Sequence, residues 1–145
     1  MEKIKVMLDP GAIMPTVAYG TSAAMDLYSM EDAVIFRDGS HIFNTGVHIA
    51  LPDGCCGMLV SKSGLNFNNG LQSDGLIDPD YRGVVHVKLY NHGNEMVKIK
   101  KGQKISQLLI LPFIKPEIKL VDKLDKTERG NNGFGSSGAM HDALY

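Results

Sequence analysis

The chain has 145 residues with 15 basic and 16 acidic side chains, a formal charge of -1, so no global field holds a nucleic-acid polymer or an anionic membrane. That length suits one domain with its own core, and any anion it binds has to be held by local placement of charge. The only cysteines, Cys55 and Cys56, are neighbours that cannot easily bridge each other and lack the second pair a zinc site needs, which leaves them as small apolar strand residues in a reduced, intracellular protein.

Taken from the start, Met1 leads into Glu2, Lys3 and alternating polar positions, with no apolar signal segment or membrane span. Hydrophobic residues then recur with period two: Val34 and Phe36; Val47, Ile49 and Leu51; Val85, Val87 and Leu89; Val97 and Ile99; Ile105, Leu109, Leu111 and Phe113. These runs predict strands. Asp38-Gly39, Pro52-Asp53-Gly54, Asp78-Pro79-Asp80 and Asn91-His92-Gly93 punctuate them at the spacing of a sandwich or barrel. No amphipathic run is long enough for a substantial helix. In ISQLLILPF, Leu108 and Ile110 alternate against Ile105, Leu109 and Leu111, so both faces are apolar and the second requires a cover such as a subunit interface. One more strand is expected over Ile118 to Val121, then a charged stretch from Asp122 to Arg129, and then RGNNGFGSSG.

Within that last segment Gly133, Gly135 and Gly138 spell G-x-G-x-x-G, but a dinucleotide loop must follow a strand and open a helix in a parallel unit, and only AMHDALY remains. The Rossmann reading fails. Arg129, Phe134, Ser136 and Ser137 instead supply groups to cover a base and grip a phosphate, as a mobile arm folding over ligand would. In SDGLIDPDYRG, Asp74, Asp78 and Asp80 serve equally as turn formers or as working carboxylates. A calcium loop is excluded, because its final Glu would fall on Leu89. In SKSGLN, Ser63 is placed to cap a short helix whose free N–H groups face an anion, with Lys62 adding charge. Ser and Lys stand in the wrong order for an S-x-x-K acyl-enzyme, and His41, His48, His86, His92 and His141 are scattered as surface or strand residues.

In order, TSAAMDL, SKSGL, GLIDPDYRG, KGQKISQLLILPF and RGNNGFGSSG resemble the five motifs of the trimeric deoxyuridine triphosphatases, over most of the chain from near residue 20 to Gly138. The resemblance implies an all-β jelly-roll subunit (a β-barrel or sandwich) over residues 1–125. It implies a flexible glycine-rich C-terminal arm over 126–145, and a homotrimer whose active sites are shared between subunits. The implied activity is Mg²⁺-dependent hydrolysis of dUTP to dUMP and pyrophosphate, limiting uracil in DNA and supplying dUMP for thymidylate synthesis. Partners beyond dUTP and two further copies of the chain are not implied, nor is a nucleic-acid polymer or a membrane, and the location is cytoplasmic, or host cytoplasm or nucleus for a viral chain.

Residue by residue, the resemblance makes Asp78 the carboxylate that deprotonates the attacking water, and Tyr81 the ring that presses on the deoxyribose. A hairpin from about Gly70 to Ile77 would read uracil through its backbone, with Gly75 and Ile77 in contact. Lys62, Ser63 and Gly64 would hold the triphosphate, Gln107 would support phosphate and water, and Arg129, Gly135, Ser136 and Ser137 would close on it while Phe134 stacks on the base. Mg²⁺ would ride on the phosphates, with Asp26 reaching that region indirectly. Three departures stand out: Ala24 where Gly is usual, Lys62 in place of Arg with loss of the bidentate fork, and Asn132 where Gly is common and a positive φ is expected. The related dCTP deaminase reading fits the motifs less well, and a nucleotide-binding regulator is the reading from another class.

Overall fold

Short period-two runs interrupted by Gly, Pro and Asp turns become an antiparallel β-structure with one short helix in the computed structural model, which describes residues 3–134. Backbone contacts divide the chain into Met1–Ile114 and Lys115–Tyr145. In the first unit the elements are β1 (Lys5–Leu8), β2 (Ala24–Tyr28), β3 (Ala33–Ile35), β4 (Ser40–Asn44), β5 (Val47–Ala50), β6 (Cys55–Val60), α1 (Ser63–Asn69), β7 (Leu71–Gln72), β8 (Asp74–Ile77), β9 (His86–Asn91), β10 (Val97–Ile99) and β11 (Lys104–Pro112).

The strands assemble as β2-β11-β6-β8 and β4-β9-β7, with two-stranded pairs β1-β5 and β10-β3, all antiparallel. Neighbours in space are distant in sequence, as in the jelly-roll class expected. Phe43, Leu27, Ile35, Leu71, Leu89, Ile99, Ile105 and Leu108 fill the interior between the sheets. β11 lies between β2 and β6, and its register shifts between Lys104 and Ser106. This irregularity resets the alternation, so Ile105 and Leu108 both reach the core although their separation is odd. On the other face, Leu109 pairs with Met58, which pairs with the exposed Leu76, leaving the apolar surface that the two-sided pattern of β11 foretold.

Several expectations are corrected. In β3 the core residue is Ile35 at 1% exposure, while Val34 and Phe36 are 41% and 68% exposed. Phe36 accepts the Gly39 N–H at 3.0 Å and so begins a turn, with Asp38 at φ 58°, which shifts the inward phase by one residue. Ile118 to Val121 is not a strand: its apolar side chains are exposed and no ladder partner is present among the described residues of that unit. Residues Gly70 to Ile77 do not form a hairpin with each other. β7 pairs with β9 whereas β8 pairs with β6, so the segment crosses between sheets at the buried Ser73. Helix α1 is capped at Lys62 with no side-chain cap bond, so Ser63 is its first residue and not its cap. In the second unit Gly130 and Phe134 hold the positive φ values, and Asn132 does not.

Candidate functional site

A carboxylate on an edge strand ordinarily faces water; Asp26, in the middle of β2, is only 2% exposed. β2 is an edge strand, and the segment before it covers that edge, Asp26 N–H donating to the Thr16 carbonyl at 2.8 Å. Burial of an unpaired carboxylate is prohibitive, so the fold brings two cations to it. Lys62, at the start of α1, donates to Oδ1 at 2.7 Å, and Lys104, at the start of β11, donates to Oδ2 at 2.7 Å. Gln107 Nε2 lies 3.4 Å from Oδ1. Burial pushes the Asp26 carboxyl up, but the Lys104 and Lys62 ammoniums outweigh it and hold the group below the ordinary carboxylate range. Lys104 is in turn held above the usual lysine range, chiefly by its bond to Asp26. Two ammoniums on one carboxylate leave a local surplus of positive charge at this end of the sheet, suited to a polyanion.

The register connects this cluster to a groove. Gln107 pairs with Asp26 on one side and with Val60 on the other, and Val60 pairs with Asp74, giving one row across all four strands. Three strand spacings of roughly 4.8 Å make that row about 14 Å long, on the scale of a nucleoside triphosphate. Beyond Asp74, the residues Asp74, Gly75, Ile77, Tyr81, His86 and Lys88 line a groove of about 320 Å³. Gly75 packs closely there: a Cβ would stand 3.1 Å from Leu59 Cδ1, so the leucine would have to give by a few tenths of an ångström.

Residues 78–83 leave β8 and cross to β9 in the other sheet, and the loop is laced by its own groups. The Tyr81 N–H donates to the Asp78 carbonyl at 3.1 Å, and the Tyr81 hydroxyl donates to the Val84 carbonyl at 2.9 Å. Arg82 Nη1 donates to the carbonyls of Pro79 and Tyr81 at 2.8 and 2.9 Å. Gly83 leaves room for the tyrosine to fold back, since a Cβ would lie 2.3 Å from its hydroxyl oxygen and displace the ring. Asp78 itself is exposed.

The crossing at Ser73 is also tied by hydroxyls. Ser106 donates to the Val60 carbonyl at 3.0 Å and shares a 2.8 Å hydrogen bond with Ser73, while Ser61 bridges the Ser73 backbone, accepting its N–H at 2.9 Å and donating to its carbonyl at 3.1 Å.

Of the residues marked from sequence, Asp26, Lys62 and Gln107 meet in one cluster, and Gly75, Ile77 and Tyr81 share the groove. Ser63 and Gly64 are exposed in the first turn of α1. In the second unit Arg129 Nε donates to the Asn132 carbonyl at 2.9 Å, and Phe134 is fully exposed. Gly135, Ser136 and Ser137 lie outside the described residues. Lys104 was missed although it sits inside KGQKISQ: a lysine two residues after a glycine turn looks like a solvated strand end, and only the folded chain, in which it pairs with Tyr28, shows its ammonium reaching Asp26. Ser73 and Ser106 were missed for the same reason.

Comparisons with known proteins agree with this geometry. The family model described as dUTPase matches residues 11–138. The chain is 40% identical over 140 residues to the deoxyuridine 5'-triphosphate nucleotidohydrolase of Clostridium tetani, covering 94% of this chain and 95% of that protein. It is 42% identical over 132 residues to the mitochondrial enzyme of that name from Homo sapiens, covering 90% of this chain but 52% of the human protein, about half its length. Among solved structures, the Staphylococcus bacteriophage 80alpha dUTPase with dUPNHPP superposes with a TM-score of 0.89 at 28% identity, covering 96% of this chain and 100% of that one. A mutant dUTPase from phage phi11 of S. aureus, described as coordinating a structural Mg(II) ion, gives 0.79 at 25% identity over 86% of this chain and 100% of that one. With a family match over most of the length, relatives near 40% identity and a cationic cluster around a buried carboxylate joined to a groove by one strand row, the chain belongs to the dUTPase family.

Proposed function

We propose that dUTP hydrolysis by this chain runs by in-line attack of water on the α-phosphorus, with Asp78 orienting and deprotonating that water. The observation that carries the reading is the row from Asp26 through Gln107 and Val60 to Asp74, which joins a cationic cluster to an apolar groove over a distance on the scale of a nucleoside triphosphate. The triphosphate lies toward Lys62, Ser63, Gly64 and Gln107. The nucleoside occupies the groove, with Gly75 and Ile77 at the base and Tyr81 against the deoxyribose, where a 2′-hydroxyl finds no room. General-base assistance of this kind is worth about 10²–10⁴ in rate. Exposure of Asp78 suits a base that must meet solvent water before the site closes.

Both Asp26 oxygens hold lysines, and no group of three or more His, Cys, Asp or Glu able to hold a metal occurs among the described residues. That donor set fits Mg²⁺ carried by the triphosphate and its waters, with Asp26 reaching it only through water. When bound, the ion neutralises phosphate charge. Arg129, Phe134, Gly135, Ser136 and Ser137 belong, in this reading, to a C-terminal arm over residues 126–145 that closes on an active site of a homotrimer. The exposed Leu76 and Met58 beside Leu109 are the face that another subunit would cover. No helix among the described residues is long and apolar enough to cross a membrane, and the cytoplasm, or the host cytoplasm or nucleus for a viral chain, is the proposed location.

The test incubates purified protein and Mg²⁺ with dUTP, dCTP, dTTP and UTP separately, resolving nucleotides and pyrophosphate, and repeats dUTP with Asp78→Asn. Release of dUMP and pyrophosphate from dUTP alone is expected, with Asp78→Asn binding dUTP but turning over about 10²–10⁴ more slowly. Near-normal turnover by that variant would remove Asp78 from the role; deamination of dCTP, or silence on all four, would overturn the reaction.

A further inference from the structure

His48 lies on β5, outside both the cationic cluster and the groove, yet it touches the loop on which the reaction depends. Its Nδ1 is 2.9 Å from the carbonyl oxygen of Arg82, and its Nε2 is 3.1 Å from Asp9 Oδ1, just beyond β1. A carbonyl and a carboxylate are acceptors only, so both bonds exist together only when both ring nitrogens carry protons, that is, in the imidazolium. The Asp9 N–H is fixed to the Gly46 carbonyl at 2.8 Å, so one end of this bridge is anchored in the framework. The other end is the residue between Tyr81 and Gly83.

We propose that His48 is a positioning residue of the reaction: its imidazolium ties the Arg82 carbonyl, and with it the Asp78–Gly83 loop, to Asp9 and the β1–β5 pair, and loss of its proton releases the loop. The proposal rests on the roles given above to Asp78 and Tyr81. The lacing by Arg82 and Tyr81 runs within the loop or to Val84, whereas the His48 bond reaches across 34 residues to a separate pair of strands. The charged groups facing the ring are Asp9, Lys5 of β1 and Arg82, the last two lining the same groove beside it. Loss of water around the ring opposes protonation. The Arg82 carbonyl first, and then the Asp9 carboxylate, favour it and prevail, so the imidazole titrates above its ordinary value.

As pH rises through that titration the ring keeps a single N–H and can donate to only one of its two acceptors, so the bridge from the Arg82 carbonyl to Asp9 is broken whichever nitrogen is left bare. The sign follows: the tether is complete below about pH 6.5, the unfolded value, and is lost as pH passes the higher folded value.

The experiment measures kcat and kcat/KM for dUTP with Mg²⁺ between pH 5.5 and 9 in wild type, His48→Gln and Asp9→Asn. In parallel, NMR follows the His48 ring nitrogens and the Gly83 amide in the full chain. Wild type should lose about three- to ten-fold in kcat/KM across the His48 titration, the net worth of one hydrogen bond. The Gly83 amide should shift with the same midpoint. His48→Gln should lack that inflection, and Asp9→Asn should move the kinetic and NMR midpoints down together. An inflection that persists in His48→Gln, or an Asp9→Asn that moves the ring titration but not the kinetics, overturns the proposal. Should His48→Gln fail to fold, Asp9→Asn decides alone. If the catalytic reading itself were wrong, Asp78→Asn would turn over normally at every pH while the His48 and Gly83 signals still titrated together.

Discussion

Gly83→Ala isolates the position of Tyr81 from its chemistry. The glycine backbone lies outside the left-handed region, so alanine is accepted by the main chain. The new Cβ would stand 2.3 Å from the Tyr81 hydroxyl oxygen, 2.6 Å from Cζ and 2.9 Å from Cε2. Ordinary carbon contact needs about 3.5 Å, so the ring has to withdraw by about 1 Å. The ring is 43% exposed and moves outward freely, giving up its bond to the Val84 carbonyl. An exposed hydrogen bond is worth about 1 kcal/mol at most, and the stiffer unfolded chain returns about half of that. The melting temperature should therefore fall by no more than about 3 °C. Activity should respond far more, because a displacement of about 1 Å beside the reacting groups costs on the order of 10²-fold in kcat/KM. The UTP to dUTP ratio should rise as the sugar wall retreats. Steady-state kinetics on both nucleotides and a thermal melt supply the readings, with Gly20→Ala, which points into open space, as the control. Unchanged kcat/KM with an unchanged melt would refute Tyr81 as the sugar wall; a fall of 10 °C would make the loop a folding element instead.

Asp26→Asn should destabilise by about 2–3 kcal/mol, less than the removal of one partner from a fully buried pair because Lys62 and Lys104 reach solvent at 24% and 41% exposure. Since Asp26 is held low, its contribution is present above the ordinary carboxylate range and lost as pH falls through the folded value, so chemical denaturation of the variant should lose the acid limb that wild type shows below about pH 4. Ser106→Ala leaves the Ser73 hydroxyl without its partner in the core and should cost about 1–2 kcal/mol by the same assay; no loss would mean the hydroxyl ladder is not an anchor. Removal of the chain after Glu128 should leave a trimer by light scattering and abolish most turnover, whereas a truncated monomer would make the arm structural.

The architecture was legible where side chains alternate cleanly, as in Val47, Ile49 and Leu51 or Val85, Val87 and Leu89, all buried as read. It was misread where geometry overrides alternation. A turn begins at Phe36 and moves the inward phase to Ile35, and the apolar Ile118 and Leu120 remain exposed without a ladder. The candidate site was legible as motifs because Gly75, Ile77, Asp78 and Tyr81 stand within one short segment. Its assembly was not: the two lysines on Asp26 lie 36 and 78 positions away, and His48 meets a carbonyl 34 positions on. Spacing along the chain does not encode such meetings; strand register creates them.

Where α1 ends, Gly70 turns left-handed at φ 68°, and a Cβ on it would stand 2.5 Å from the Gly93 nitrogen; a Cβ on Gly93 would stand 2.3 Å from the Asn69 oxygen. Two bare backbones therefore touch, and the His92 N–H donates to the Gly70 carbonyl at 3.0 Å. Enlarging either glycine cannot be rescued by shrinking the other, which is already minimal. Protein engineers who wish to lengthen the turn between β9 and β10, or graft a recognition loop there, should expect to shift helix α1 with it and should choose another turn.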